Sequence, residues 1–201
     1  MSSLTASRSP RLHEPATATR IVDGAEACIR RYGLRRVSMS EVAVAAGVSR
    51  ASVYNHFADR DAVVAAVLHR AAERFVASSE PTVRRRRTLA GQVAEAALFI
   101  RAHRGDPDHT VTPGGEELLA TLLTVQTDGL IARWIDFWLP FLADAERRGE
   151  IRADIDHRQA AEWIVRIMLS LAVMPSASVD LDNPAAVRAF VTEFIVRGFA
   201  P

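Results

Sequence analysis

Residues 38 to 57 read SMSEVAVAAGVSRASVYNHF, and this stretch decides the fold. Ser38 followed by Glu41 has the spacing of a capping box, in which the serine oxygen accepts a bond from the Glu41 amide and the carboxylate accepts one from the serine amide. Gly47 tolerates the positive φ that ends a helix, and Ser49 is placed to cap the next one. The pattern therefore predicts two short helices joined by a tight turn.

The apolar residues of this stretch suit two helices that cross closely. The contact needs a small residue, a glycine at the turn and an apolar anchor, and the sequence supplies Ala43, Gly47 and Val53 for these roles. The remaining inward positions are filled by Val42, Ala46 and Val48. The outward positions carry small or hydrogen-bonding groups, as a helix in a major groove requires. We predict a helix-turn-helix; the alternative is a tight helical hairpin without a DNA role.

Helical patterns continue on both sides of this motif. A first helix is expected between a cap at Thr19 and a stop at Gly33, and a fourth between a cap at Asp59 and about Ser78, with Pro81 closing it. Further on, apolar residues recur at helical spacing over 88–103, 115–126, 127–148, 156–174 and 184–199. No convincing strand pattern occurs. The predicted fold class is all-α, with about nine helices.

The chain divides into a flexible arm at 1–18, a helix-turn-helix domain at 19–58 and a helical body at 59–201. Residues 1–60 hold nine arginines against five acidic residues, whereas residues 61–201 hold sixteen against nineteen. A basic head on a mildly acidic body is typical of a nucleic-acid-binding protein.

Composition argues against several other classes of protein. All 25 basic residues are arginine, which excludes Schiff-base catalysis and a Walker A phosphate loop, since both need a lysine amine. The single cysteine, Cys28, excludes an intrachain disulfide and a cysteine-cluster metal site. No nucleophile elbow, HExxH motif or carboxylate pair occurs. We therefore expect a protein that is not an enzyme, needs no cofactor or metal and, without a signal peptide or membrane helix, stays in the cytoplasm.

Four segments together resemble the DNA-binding signature of the TetR family of transcriptional regulators: Glu41 to Ala43, Ala46 to Ser49, Val53 to Phe57, and Arg60. The resemblance covers roughly residues 19 to 68, about a quarter of the chain. It implies a homodimer whose first three helices bind operator DNA and whose body binds an effector. Palindromy of the operator follows from the two-fold symmetry of such a dimer.

The resemblance also implies residue roles in the head. Tyr54, His56 and Arg60 would contact phosphates, and Arg60 stands where lysine is usual, which keeps the charge. Gly24 and Ile29 stand where the family more often has alanine and phenylalanine. The candidate DNA-contacting residues are Ser38, Ser49, Arg50, Ser52, Tyr54, Asn55, His56 and Arg60. For Arg50 and Asn55 two targets stay open, base edges and phosphates.

An aromatic stripe in the body suggests a ligand pocket. Four aromatic side chains share one helix face, at Trp134, Phe137, Trp138 and Phe141. Such a stripe also suits a plain core. In the resembled family, however, the body helices commonly surround an apolar cavity, so we predict a small apolar or aromatic effector. Its other walls would come from Leu98, Phe99, Leu119, Leu122, Leu123, Trp163, Ile167 and Met174.

The predicted function is a ligand-responsive regulator, a repressor more often than an activator in the resembled family. The resemblance implies that the last two helices, 156–174 and 184–199, pair with the same helices of a second subunit; the alternative is that their apolar faces complete the monomer core. These faces carry Ala160, Ile164, Ile167, Leu171, Phe190, Phe194 and Ile195. An architectural DNA-binding protein without an effector, and a helical enzyme, are the alternatives.

Three polar segments have simple interpretations. The loop from His103 to His109 is favoured as an ordinary polar connection over a metal site. The Arg84–Arg87 run is favoured as a solvated connector over a DNA contact. The arm's Arg8 and Arg11 are candidates for a minor groove, although a plain arm is favoured.

Overall fold

The computed structural model describes residues 14–103 and 128–200, and these contain helices and no strand. We number the α-helices in chain order: α1 Glu14–Tyr32, α2 Met39–Ala46, α3 Arg50–His56, α4 Arg60–Arg84, α5 Leu89–Ala102, α6 Asp128–Arg147, α7 His157–Val173 and α8 Pro184–Phe190. The all-α prediction is confirmed. The predicted helix over 115–126 lies outside the described residues.

The predicted signals of the helix-turn-helix are present in three dimensions. The Ser38 oxygen accepts from the Glu41 amide at 3.3 Å, and the Ser38 amide donates to the Glu41 carboxylate at 3.0 Å. Gly47 has φ 63° and ψ 39°, which is the left-handed conformation. The Ser49 and Asp59 side chains cap α3 and α4 as predicted. Local hydrogen bonding therefore fixes where these helices begin and end.

Two helix boundaries differ from the prediction. Thr19 lies inside α1, which begins at Glu14, and Pro15 is compatible with this start because a residue of the first turn needs no amide partner. Pro81 lies inside α4 and does not end it. The last turn of α4 is held because Val83 is fully buried against the body.

The last predicted helix, over 184–199, changes geometry along its length. After α8 the chain continues through a π-helical turn, Val191–Val196, and a 3-10 turn, Arg197–Phe199. Ile195 and Phe199 are buried, so the segment still packs against the body.

The described residues form two hydrophobic cores that share α4. The head core is built from α1, the Leu34–Arg36 turn, α2, α3 and α4 as far as Ala72. The body core runs from Val83 through α5, α6, α7 and the α8 segment. Trp134 on α6 packs against both cores. The head core therefore extends beyond residue 58, and α4 links the two parts.

The helices α1 and α2 approach very closely at Gly24. A Cβ atom added to Gly24 would lie 2.7 Å from the backbone nitrogen of Ala46 and 3.0 Å from its Cα. Only a residue without a side chain fits there. Glycine at this position thus lets α1 pack directly against the end of α2.

We expect Gly24→Ala to lower the free energy of unfolding by about 1 kcal/mol, because overpacking outweighs the gain in helix propensity. Thermal unfolding measures this change. Gly198→Ala is the matched control, since a Cβ there meets nothing within 4 Å. A Gly24→Ala variant as stable as the wild type would show that the helices separate without cost.

Candidate nucleic-acid interface

The third helix presents a polar face to solvent. Val53 is fully buried, whereas Arg50, Ala51 and Asn55 are exposed and Tyr54 is 44% exposed. Beneath this helix the predicted inward residues pack as expected: Val42, Ala43 and Ala46 are buried and Val48 is half-buried. The head thus holds α3 by one apolar anchor and leaves its other side open to a groove.

Arg50 and Tyr54 contact each other on this face. The guanidinium carbon of Arg50 lies 5.6 Å from the centre of the Tyr54 ring, within the range of a cation–π interaction. The two residues are one helical turn apart, so the contact aligns both side chains along α3. The face therefore offers a charged donor and a hydroxyl side by side.

Two of the three candidate serines, Ser38 and Ser49, cap helices, and the third, Ser52, donates its amide to one of these caps. The Ser49 hydroxyl oxygen accepts from the Ser52 amide at 3.0 Å. Ser38 caps α2, and its hydroxyl also donates to the Glu41 carboxylate at 2.8 Å. These bonds fix the starts of α2 and α3, where free backbone amides favour phosphate oxygens.

His56 makes its contacts inside the head. Its Nδ1 atom lies 2.9 Å from the Ser52 carbonyl oxygen, and its Nε2 atom is buried with no hydrogen-bond partner. The side chain is half-buried at the end of α3. A phosphate contact through either nitrogen would require the ring to leave this position.

Arg60 also binds within the head. Its Nε donates to the Val37 carbonyl at 3.1 Å, one terminal nitrogen donates to the Leu34 carbonyl, and the other lies 2.7 Å from the Asp61 carboxylate. The side chain therefore ties the start of α4 to the connection between α1 and α2. A phosphate would have to share this guanidinium with the two carbonyls.

Sequence reasoning missed a charged cluster between α1 and α4. The Glu26 carboxylate, only 8% exposed, accepts from Arg70 at 2.5 Å, from Arg74 at 2.6 Å and from Arg30 at 2.6 Å. Arg70 also lies 2.5 Å from Asp23. The partners on α4 are more than forty residues from Glu26 in the chain. The i, i+4 spacing of the two arginines shows that they share a face, but nothing local shows which element that face meets.

Burial raises the pKa of Glu26, but the hydrogen bonds and charges of Arg74 and Arg70 outweigh it and hold the pKa at about 2, below the usual 4.5. The carboxylate thus stays charged at any pH at which the protein works. The cluster links α1 permanently to the helix that leads to the body.

The body residues proposed as pocket walls fall into distinct environments. Trp138 and Phe141 are buried in the body core. Four other candidates are partly buried against that core: Leu98, Trp134, Phe137 and Ile167. Phe99 packs edge-on against Phe75, with 5.4 Å between ring centres. Leu119, Leu122 and Leu123 lie outside the described residues.

Two proposed wall residues instead lie on the surface of the protomer. Trp163, on the outer face of α7, is 45% exposed, and Met174, the residue after α7, is 55% exposed.

The residues proposed to form the dimer interface also differ from the prediction. Most of them are buried in the protomer's own core and cannot form an interface: Ala160, Ile164, Leu171 and Ile195. Among the proposed dimer residues, Phe194 is 68% exposed and lies on the surface of the protomer.

The Arg84–Arg87 run lies at the end of α4 farthest from the head. At about 1.5 Å per residue, the 25 residues of α4 separate Arg84 from Arg60 by about 36 Å. Arg84 stacks over the Phe141 ring at 4.8 Å, and Arg86 pairs with Glu95 at 2.7 Å. Two of the four arginines of this run are thus engaged in contacts with residues of the body.

The arm arginines and most of the polar loop fall outside the described ranges, namely Arg8, Arg11 and the segment 104–109. Among the described residues, no group of three or more histidine, cysteine or acidic side chains could hold a metal ion. None of the described helices is long and apolar enough to cross a membrane.

Comparison with known proteins agrees with this geometry. The family described as "Bacterial regulatory proteins, tetR family" matches residues 21–67. The "HTH-type transcriptional repressor Rv1474c" of Mycobacterium tuberculosis is 31% identical over 126 residues, which cover 59% of this chain and 66% of that protein, just under two thirds of its length.

Two solved structures share the fold. A TetR-family transcriptional regulator from Pectobacterium atrosepticum has a TM-score of 0.70 and 16% identity, covering 96% of this chain and 98% of that one. The regulator FadR from Bacillus subtilis, in complex with stearoyl-CoA, has a TM-score of 0.62 and 18% identity, covering 87% and 97%. The chain belongs to the TetR family of transcriptional regulators.

We expect Glu26→Gln to lower the free energy of unfolding at neutral pH by about 2 kcal/mol, because it removes the buried counter-charge that three arginines share. Glu162→Gln, which removes an exposed pair with Arg166, is the control and should change little.

Denaturant unfolding of both variants at several pH values measures the effect. A carboxyl whose pKa is lowered on folding stabilises the protein above its unfolded pKa and loses that contribution as the pH falls. The difference between wild type and Glu26→Gln should therefore shrink from about pH 4.5 towards about pH 2. A difference that did not change over this interval would rule out the charged carboxylate as its source.

Proposed function

We propose that this regulator binds a palindromic operator as a homodimer, with one α3 helix in each half-site, and that it represses transcription in the cytoplasm until a small apolar or aromatic effector releases it. The observation that carries the proposal is α3 itself. Its exposed face joins Arg50, Tyr54 and Asn55, while Val53 anchors its other face in a head that is tied to α4. A two-fold dimer of such heads matches an inverted repeat.

The last two helical segments support the dimer. Trp163 on α7 and Phe194 after α8 expose large apolar side chains, although most other apolar residues of these segments are buried. Exposed groups of this size favour association with another apolar surface. We therefore assign the interface to these residues in place of the buried ones.

The body supports an apolar effector. Aromatic rings on α6 lie close together, with ring centres 5.1 Å apart for Phe137 and Phe141 and 5.5 Å apart for Trp138 and Phe141. FadR, which shares the fold, was solved with stearoyl-CoA, a ligand with a long acyl chain. The burial of Trp138 and Phe141 also suits a second candidate, a DNA-binding protein whose body is sealed and takes no effector.

The operator is tested by selecting binding sequences from random duplex DNA with the purified protein. We expect an inverted repeat, with affinity that falls steeply with salt. Tyr54→Ala should weaken binding to all sequences, whereas Arg50→Ala should relax the preference at one position of each half-site by about 1–3 kcal/mol if it reads a base.

Arg158→Ala, which changes an exposed arginine of the body, is the control and should leave affinity unchanged. Selection of a single unrepeated site would contradict the dimer. Uniform protection of all sequences would contradict specific recognition.

The effector is tested through the tryptophans, which all lie in the body at Trp134, Trp138 and Trp163. In a variant with Trp134→Phe and Trp163→Phe, the emission reports Trp138, which is buried in the body core. We expect a lipophilic or aromatic compound to change this emission and to raise the Kd for the operator, since a ligand shifts an equilibrium only by its differential affinity for the two states.

The same titration with operator DNA alone is the control and should change the emission much less. A compound that changes the emission but not the Kd for the operator would contradict coupling for that compound. If no compound of a broad lipophilic set changes the emission, the sealed body is the better description.

A further inference from the structure

The end of α2 satisfies some of its own carbonyl groups. The Val48 amide donates to the Ala43 carbonyl at 3.0 Å, and the Gly47 amide donates to the Val44 carbonyl at 3.2 Å. This is the pattern of a Schellman motif, which Gly47 permits through its positive φ. The carbonyl oxygens of Ala46 and Gly47, at the turn into α3, are not part of that pattern.

These two carbonyls receive an arginine from another helix. One terminal nitrogen of Arg20, on α1, donates to the Ala46 oxygen at 2.9 Å and to the Gly47 oxygen at 2.8 Å. Arg20 precedes the turn by 26 and 27 residues, so these are long-range contacts. A positive charge at the C-terminal end of α2 is also favoured by the helix dipole.

The same turn is held by close packing. Gly24 lies one helical turn after Arg20 on α1 and touches Ala46, where no Cβ would fit. Gly47 is restricted by its positive φ of 63°, and a Cβ there would make ordinary van der Waals contact with the Arg20 nitrogen at 3.4 Å. The hydrogen bonds of Arg20 thus act on both Ala46 and Gly47, and the contact with Gly24 acts on Ala46, four and three positions before α3 begins at Arg50.

We propose that Arg20 is a positioning residue for operator recognition: it fixes the turn between α2 and α3 from α1 and thereby sets the angle at which α3 meets the groove. This inference rests on the proposed operator binding. Arg20 acts through the backbone of the turn, and its charge neutralises no phosphate. Removing it changes how well α3 fits its operator and leaves non-specific attraction to DNA unaltered.

The chemistry of the side chain suits this role. A guanidinium keeps its charge at any working pH and directs its N–H groups in a fixed plane, so it can hold two carbonyls in one geometry. A lysine ammonium at the same position would be a point charge on a flexible stem. It would serve a phosphate nearly as well but would hold the carbonyl pair less rigidly.

Salt dependence separates the two roles. A side chain that neutralises a phosphate contributes about one unit to the slope of log affinity against log salt, because one counterion is released. A residue that positions the recognition helix contributes nothing to that slope. It changes instead the ratio between affinities for the operator and for unrelated DNA.

The experiment compares wild type, Arg20→Met and Arg20→Lys on the selected operator and on a scrambled duplex of equal composition, across a series of salt concentrations. For Arg20→Met we expect the Kd for the operator to rise about tenfold, the Kd for the scrambled duplex to stay within about twofold, and the salt slope to be unchanged. Arg20→Lys should lose part of the discrimination, also at unchanged slope.

The full chain is used throughout, and Arg158→Met is the control that should move none of these values. The inference is wrong if Arg20→Met lowers the slope by about one and weakens both duplexes alike while Arg20→Lys binds as the wild type does. It is equally wrong if Arg20→Met discriminates as well as the wild type. A wild-type protein that does not prefer the operator over the scrambled duplex would instead reject the proposed function.

Discussion

One buried carboxylate determines how the DNA-binding head is joined to the rest of the molecule. Glu26 on α1 receives hydrogen bonds from Arg70 and Arg74, which lie one turn apart on α4. Because both donors converge on the same carboxylate, α4 cannot slide or turn against α1 without losing one of them. Much of the Coulomb attraction in such a cluster is offset by desolvation, so its main effect is to select one geometry. The head and the first half of α4 therefore form one unit.

Within that unit, arginines on α1 and α4 hold the backbone of the two connections. Arg20 holds the turn between α2 and α3, and Arg60 holds the connection between α1 and α2. Both act on carbonyl oxygens that helix ends or turns leave available. The chain contains no lysine, so every permanently cationic side chain in the head has the planar guanidinium that suits such paired contacts. Arginine thus serves as a structural residue here as well as a source of charge.

The sequence predicted the parts of the fold that depend on neighbouring residues. The capping box at Ser38, the left-handed Gly47 and the buried Val53 all follow from spacing within twenty residues, and all are present. The persistence of α4 through Pro81 was not predictable in this way, because it depends on the burial of Val83 against a distant part of the chain.

The candidate site was predicted in outline but not in detail. The exposed face of α3 follows from its pattern, whereas the bonds of His56 and Arg60 inside the head depend on how elements meet in space. The same holds for the last helices. The helical spacing of their apolar residues predicts an apolar face, but it does not distinguish residues of the protomer core from the exposed Trp163 and Phe194. Only the packed structure shows which apolar side chains are buried within the protomer and which are exposed on its surface.

The shared helix also determines where the molecule can be divided. A fragment cut at residue 58 would lose the α4 valines that complete the head core, such as Val63 and Val67, and would leave Glu26 without Arg70 and Arg74. A truncation placed after Arg74 would keep every buried residue of the head core and the charged cluster, and would lose only the contact of Trp134 with that core. The smallest autonomous DNA-binding module therefore includes more than half of α4, and domain exchange with related regulators should place its junction in the second half of that helix.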